Sequence, residues 1–201
     1  MKIGPKYKIA RRLGAPIFEK TQTAKYAQSL SRKEKTGKGM RRAPSEYGKA
    51  LIEKQKTRFT YGMSERQFRS YVDKALKTGL PIQTLFVLLE TRLDNILFRS
   101  GLMKTRAQAR QAASHGHTML NGRRVDVPSI QLKKGDTVSL RAGSTESALF
   151  SESAERMKTQ TAPAWLEVNP EARQAKVVGE PVYATGEQVF DLGVVIEFYN
   201  R

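Results

Sequence analysis

From Arg92 the chain runs Arg92-Leu93-Asp94-Asn95, then Thr105-Arg106-Ala107-Gln108-Ala109-Arg110-Gln111, then His115-Gly116-His117 and Asn121-Gly122-Arg123-Arg124-Val125, followed by Pro128-Ser129, Lys134-Gly135-Asp136 and Thr137-Val138-Ser139-Leu140. Thr105 and Gln108 have the spacing of a capping box, in which a hydroxyl and an amide satisfy free backbone donors at a helix start. The alanine-rich helix they open is expected to end near Ser114, with Gly116 at its exit. An Asn-Gly pair between short extended runs signals a hairpin, because both turn residues tolerate positive φ. Thr137 to Leu140 alternates as a strand does. Residues 92–141 therefore read helix, helix, hairpin, strand.

Working toward the N-terminus, Leu85, Leu88, Leu89, Leu93, Ile96 and Leu97 recur at spacings of three and four, which predicts one amphipathic helix from Ile82 to about Phe98. Ser64-Glu65-Arg66-Gln67 is a second capping box, opening a helix to about Lys77, and Pro44-Ser45 opens another to about Phe59. Thr21 to Pro44 is polar, basic and glycine-containing, with no sustained apolar period, so it is expected to order only on a partner. Toward the C-terminus a polar helical stretch is predicted around Ser147 to Thr159, then Pro163-Ala164-Trp165-Leu166, then β-prone pieces at Lys176-Val177-Val178 and from Gly193 to Tyr199. No repeat at a 20 to 50 residue period is present.

The 201 residues carry 36 lysines and arginines against 19 aspartates and glutamates, a net charge of +17. Such a field attracts polyanions. The charge is uneven: residues 1–58 carry +13, residues 59–141 carry +8 and residues 142–201 carry −4. A polyanion should meet the first two thirds, with the acidic last third turned away from it or toward a basic protein neighbour. Hydrophobic residues at 39% and charged residues at 27% are ordinary globular proportions and argue against a disordered polycation. There is no cysteine, which excludes disulfides, thiolate metal sites and thiol catalysis. The longest apolar run, Leu85 to Leu89, falls far short of the ~18 residues a membrane helix requires, and the polar start lacks a signal-peptide stretch. The expected setting is a soluble, reducing compartment, with no membrane partner.

Arg106 and Arg110 stand four apart on one helix face, and the hairpin adds Arg123 and Arg124 beside Asn121, with His115 and His117 at the edge. Planar forked donors, helix-start amides and polar groups on a tight turn are what phosphate and 2′-hydroxyl contact requires. A lone arginine pair reads as a solvated face, but this concentration around one short helix and hairpin favours a ligand surface. His115 and His117 have no third ligand near them, so no metal is expected. Neither G-x-S-x-G nor the phosphate-cradling G-x-x-x-x-G-K-[ST] occurs, so no enzyme chemistry is visible. Arg66 and Arg69 share a helix face, and Lys49, Lys54, Lys56 and Arg58 crowd the helix before it as a candidate phosphate track. Tyr47, Phe59, Tyr61, Phe68 and Tyr71 interleave with them at helical spacing, which fits packing better than base stacking.

In their order and spacing, the elements from Arg92 to Asp136 resemble the RNA-binding module named after bacterial ribosomal protein S-four (S4). The flanks Ser45-Glu46-Tyr47-Gly48, Glu53-Lys54-Gln55-Lys56, Tyr61-Gly62, Glu65-Arg66-Gln67-Phe68, Pro163 to Val168 and Val195 to Arg201 are similar to the same ribosomal family outside its module. The resemblance implies a cysteine-free member without cofactor or metal: a helical N-terminal domain, and a second domain of helices against a small antiparallel sheet. Three parts are implied: a basic arm at 1–44 ordered by RNA, a helical domain at 45–91 that residues 190–201 are candidates to complete, and an α+β domain at 92–189 with the module at 92–141. It further implies a primary binder of 16S rRNA, seated at a multi-helix junction of the 5′ domain in the cytoplasmic small subunit, or in an organellar one. It would border the channel where mRNA enters, beside ribosomal proteins S-three and S-five, and affect translational accuracy, with no stable homo-oligomer. Candidate RNA contacts are Lys6, Lys8, Arg11, Arg12, Lys49, Lys54, Lys56, Arg58, Arg66, Arg69, Arg106, Arg110, His115, His117, Asn121, Arg123 and Arg124. Lys38, Arg41 and Arg42 are the candidates for mRNA. An RNA-modifying enzyme or a stress-related RNA-binding protein also carries this module, but the enzyme needs a separate catalytic domain and here module and flanks consume the chain.

Overall fold

The computed structural model describes residues 3–35 and 43–200. In chain order the elements are α1 (Lys6–Leu13), a 3-10 turn (Glu19–Thr21), α2 (Ala24–Lys35), α3 (Glu46–Thr60), α4 (Glu65–Ala75), α5 (Pro81–Glu90), α6 (Leu93–Arg99) and α7 (Arg106–Ser114). They continue with β1 (Thr118–Leu120), β2 (Arg123–Val125), β3 (Thr137–Leu140), α8 (Ala142–Thr145), α9 (Ser153–Thr159), β4 (Leu166–Asn169), β5 (Gln174–Val177) and α10 (Leu192–Asn200). Two compact units result: residues up to Leu85 together with those from Tyr183 onward, and Phe86–Val182. The first is helical; the second sets helices against one antiparallel sheet of order β2-β1-β3-β5-β4.

In the helical unit, Ser45 and Ser64 cap α3 and α4 at the helix starts read from the sequence, accepting from the Gly48 and Gln67 backbone N–H at 3.2 and 3.3 Å. The last residues differ from expectation. Gly193 to Tyr199, β-prone by composition, lies in helix α10. The Asp191 carboxylate accepts from the Gly193 and Val194 backbone N–H at 2.7 and 3.4 Å, which opens the helix at its first turn. Packing against α3 then outweighs β propensity: Leu192, Val195 and Ile196 are buried, and Phe198 and Tyr199 stack on Tyr47 and Phe68 with centroids 5.4 and 6.2 Å apart. The Lys54 ammonium sits 4.8 Å over Phe198 and 5.7 Å over Tyr199 and donates to Glu65 at 2.7 Å.

Within Thr21 to Pro44, Ala24–Lys35 is helical although no apolar period announces a helix there, and residues 36–42 lie outside the described residues. Tyr26 is the helix's buried contact, in a small cluster with Ala10 and Phe18 and with its ring 5.3 Å from that of Tyr7. That contact lies outside the segment, so no period inside the segment reveals it.

The second unit buries Leu93, Ile96, Leu97, Ala109, Ala112 and Ala113 from α6 and α7, and Leu102 and Met103 from the connection between them, against Val138, Leu140, Leu166 and Val177 from its sheet. The hairpin is as read, with Asn121 and Gly122 both at positive φ, 49° and 77°, in the turn between β1 and β2. The expected helix from Ile82 to Phe98 is instead two, broken at Thr91 and Arg92. Arg92 is extended, with ψ at 140°. The break is stabilised from outside: the Leu93 and Asp94 N–H groups donate to Ile130 and Pro128 carbonyls at 2.9 and 3.0 Å, and Leu132 N–H donates to Thr91 O at 2.9 Å. The Thr91 hydroxyl reaches Gln131 Oε1 at 2.7 Å. The apolar period runs through the break because both halves bury the same face. Near the end, α9 starts later than the predicted stretch from Ser147, at Ser153, and β4 is a strand that composition did not announce.

The Glu65 carboxyl carries a pH dependence. Burial alone would raise it, but the bound Lys54 ammonium, the Tyr199 hydroxyl and Arg58 together hold it below its ordinary 4.5. Tyr199 is pushed up, by burial and then by the Glu65 charge. A carboxyl depressed in the folded state contributes stability at neutral pH that is lost as acid protonates it. Melting curves taken from about pH 6 down to about pH 3 should therefore show the wild type losing more stability than Glu65→Gln, with the two converging below the ordinary carboxylate value. Parallel curves would assign the acid sensitivity to other groups.

Candidate nucleic-acid interface

The α7–hairpin region gathers the densest set of the expected contacts. Thr105 caps α7, accepting from the Gln108 backbone N–H at 3.0 Å, while the Gln108 amide oxygen accepts from the Lys104 N–H at 3.0 Å. This cap fixes where Arg106 and Arg110 leave the helix. Both reach α6: Arg106 Nε donates to Asn95 Oδ1 at 2.8 Å, and Arg110 Nε and Nη2 donate to Asp94 Oδ2 at 2.9 and 2.6 Å. The Arg106 guanidinium also lies 4.3 Å over the Phe98 ring. Behind them, Arg92, fully buried, grips both Asp94 oxygens at 2.9 and 2.8 Å, and Arg99 grips both Glu90 oxygens at 2.9 Å. Removing one partner of a buried pair of this kind costs about 3 to 5 kcal/mol, because the other charge is left uncompensated.

The hairpin brings the second group. β2 is the sheet's edge strand, so Arg123 and Arg124 are both exposed although they point to opposite faces. The Arg124 guanidinium lies on Gly116, whose φ is +70°, and a Cβ there would overlap it. His115 is exposed beside this contact; the His117 ring is 6.1 Å from that of His115, bonds Ser144 Oγ through Nδ1 at 3.0 Å and packs on Phe150. Asn121 is exposed, yet its amide oxygen accepts from Thr137 N–H at 2.9 Å and its amide nitrogen donates to Asp136 at 2.8 Å, so it locks the turn to β3.

In the helical unit the expected contacts divide. Lys6, Lys8, Arg12, Arg66 and Arg69 are exposed, and Arg11 is half-buried with Nε on Tyr7 O at 3.2 Å. Lys49 and Lys56 pair with Glu46 and Glu53 at 2.9 and 2.7 Å. Lys54 is buried, so it is absent from any outward track. Arg58 spans Gln55 Oε1 at 2.7 Å and Met63 O at 3.2 Å, and lies over Phe59. The aromatics do pack: Tyr61, Phe68 and Tyr71 are buried, and Phe59 meets Phe18 edge-on at 6.3 Å. Lys38, Arg41 and Arg42 lie outside the described residues.

Sequence reasoning passed over Arg99 and Arg141. Arg99 follows Asn95 by one helical turn and is a quarter exposed, and that spacing was a usable signal. Arg141 is exposed and its N–H donates to His117 O at 2.9 Å, a placement only the sheet register reveals. Among the described residues no group of three or more His, Asp or Glu could hold a metal ion, and no helix is long and apolar enough to cross a membrane.

Residues 1–90 match the family described as the ribosomal protein S4/S9 N-terminal domain, and residues 91–138 match the S4 domain. A relative from Roseiflexus castenholzii named small ribosomal subunit protein uS4 is 39% identical over 204 residues, covering 99% of this chain and 98% of its own length. The protein of the same name from Latilactobacillus sakei is 38% identical, covering 98% of both, and that from Syntrophomonas wolfei is 41% identical over 166 residues, covering 82% and 79%. The chain belongs to the ribosomal protein S4 family. The relatives bear the name of a small ribosomal subunit protein, and the two-unit architecture is that of a helical N-terminal domain plus an S4 domain.

The Gly116–Arg124 contact is testable through stability alone. Gly116→Ala should cost about 1 to 2 kcal/mol for the left-handed backbone and little for the guanidinium, the far end of a flexible and exposed side chain that can swing aside. Arg124→Ala in the Gly116→Ala background should therefore recover almost nothing, as read by chemical denaturation; a large recovery would mean that the guanidinium is held on Gly116.

Proposed function

We propose that this S4-family chain is a constituent of the small ribosomal subunit that binds 16S rRNA at a multi-helix junction of the 5′ domain and nucleates assembly there. The observation that carries the reading is the cationic surface of α7 and the β1–β2 hairpin, on which Arg106 and Arg110 are held in place. Arg106 and Arg110 are held on α6, Arg124 is seated on Gly116, and Arg123 projects from the edge strand. Groups held at set positions select a folded backbone by its shape, since A-form RNA exposes phosphates and 2′-hydroxyls more readily than base edges. Stabilising one arrangement of the junction lowers the cost of later binding by population shift.

The exposed Lys6, Lys8, Arg12, Arg66 and Arg69 would contribute further phosphate contacts. In the fuller reading the cytoplasmic protein borders the channel where mRNA enters, through Lys38, Arg41 and Arg42, lies beside ribosomal proteins S-three and S-five, and influences decoding accuracy. The acidic segment from 142 to the C-terminus, net −4, suits a basic protein neighbour.

The test is binding to a transcript of the 16S 5′ domain across a salt series, with heparin as the unstructured polyanion. Arg123→Ala should weaken binding to the transcript and reduce the slope of log affinity against log salt by about 0.7 to 0.9 for each phosphate that is no longer neutralised. An unchanged slope would direct Arg123 away from the RNA, and equal affinity for transcript and heparin would remove the junction reading.

A further inference from the structure

We propose that the buried anions Asp94 and Glu90 are positioning residues for RNA binding, aiming the arginines that meet the phosphates; this rests on the rRNA-binding reading above. Each stands in a relay. Arg92, 1% exposed, has no route to a ligand, and both Asp94 oxygens are held against it. The same Asp94 carboxylate holds Arg110, whose side chain is 24% exposed. Buried cation, buried anion and surface cation thus run in series. Glu90, also 1% exposed, holds Arg99 through both oxygens and accepts from Asn95 Nδ2 at 3.0 Å. Asn95 in turn accepts from Arg106 Nε through its own oxygen.

Cohesion alone does not require this arrangement, because buried ion pairs replaced by apolar residues of similar volume are often as stable or more so. Its distinct product is orientation. An arginine pendant in water samples many rotamers, and ordering it on a ligand opposes binding; one already frozen with a guanidinium edge at the surface avoids that loss. Four guanidinium groups around two carboxylates leave the cluster cationic, so aim is gained without reversing the field. The consequence runs against simple charge counting. Neutralising an acidic residue in a protein that binds a polyanion should weaken specific binding.

The experiment uses the full chain, the 16S 5′-domain transcript and heparin. Arg110→Lys keeps the charge and leaves the Arg92–Asp94 pair in place, but a lysine has no fork to hold; it should lose roughly two- to tenfold in transcript affinity with heparin affinity unchanged. Asp94→Asn should lose a similar factor in the wild-type background and nothing further in an Arg110→Met background, since Asp94 acts through Arg110. Glu90→Gln should show the same loss on the transcript and none on heparin. Tighter transcript binding by Asp94→Asn, or the same loss in both backgrounds, would overturn the proposal. If Asp94→Asn does not fold, Arg110→Lys decides alone, and wild-type transcript affinity from Arg110→Lys overturns it. A wild-type chain that binds transcript no better than heparin fails at the earlier step, the rRNA reading, and is recognised by that comparison before any variant is made.

Discussion

One carboxylate shared by two guanidinium groups underlies the organisation of the second unit. Asp94 sits where α5 has ended and α6 begins, buried and bound by Arg92 and Arg110. A carboxylate removed from water is costly unless charges of opposite sign and hydrogen bonds replace the solvent. Supplying them ties three parts of the chain together: the extended residue Arg92, the first turn of α6 and the middle of α7. The helix break is therefore part of the site. Were the apolar period followed by one continuous helix, Arg92 would lie on its side instead of folding back onto a residue two positions ahead.

The consequence is that positive charge in this protein has two uses, and the net charge does not separate them. Arg92 and Lys54 are buried cations spent on internal anions and rings. Arg123, Arg124, Arg66, Arg69, Lys6 and Lys8 stand at the surface. Arg106 and Arg110 belong to both classes, bonded to α6 and still half-exposed. That intermediate class matters most for selectivity, since a mobile lysine neutralises any phosphate while a fixed fork favours a phosphate in one place.

What was legible in the sequence was local. The Asn121-Gly122 turn, the Thr105 and Ser64 caps and the alanine face of α7 are each written within a few residues, and each forms. What was not legible depends on distant partners. Nothing near Thr91 announces that Gln131 will reach it, and nothing in Gly193 to Tyr199 announces that α3 will cover a face of it. The candidate site divides along the same line. That Arg106 and Arg110 share a face followed from their spacing, but that the face is turned toward Asn95 and Asp94 required the fold, as did the burial of Lys54 beneath rings from the C-terminal helix.

Edge strands explain why the hairpin could be used as it is. A two-residue turn joining three-residue strands at the border of a sheet presents unpaired backbone groups, an invitation to pair with another chain. Adjacent arginines on β2 oppose that pairing by repulsion, and the same two residues point to opposite faces, so one short strand shows cations on both sides of the sheet edge. Arg124 turns back over Gly116, which has no side chain to obstruct it, while Arg123 does not. The feature that protects the edge from another protein is thus also the one that makes it attractive to a polyanion, and a single glycine sets how far one of its two arginines can lie down.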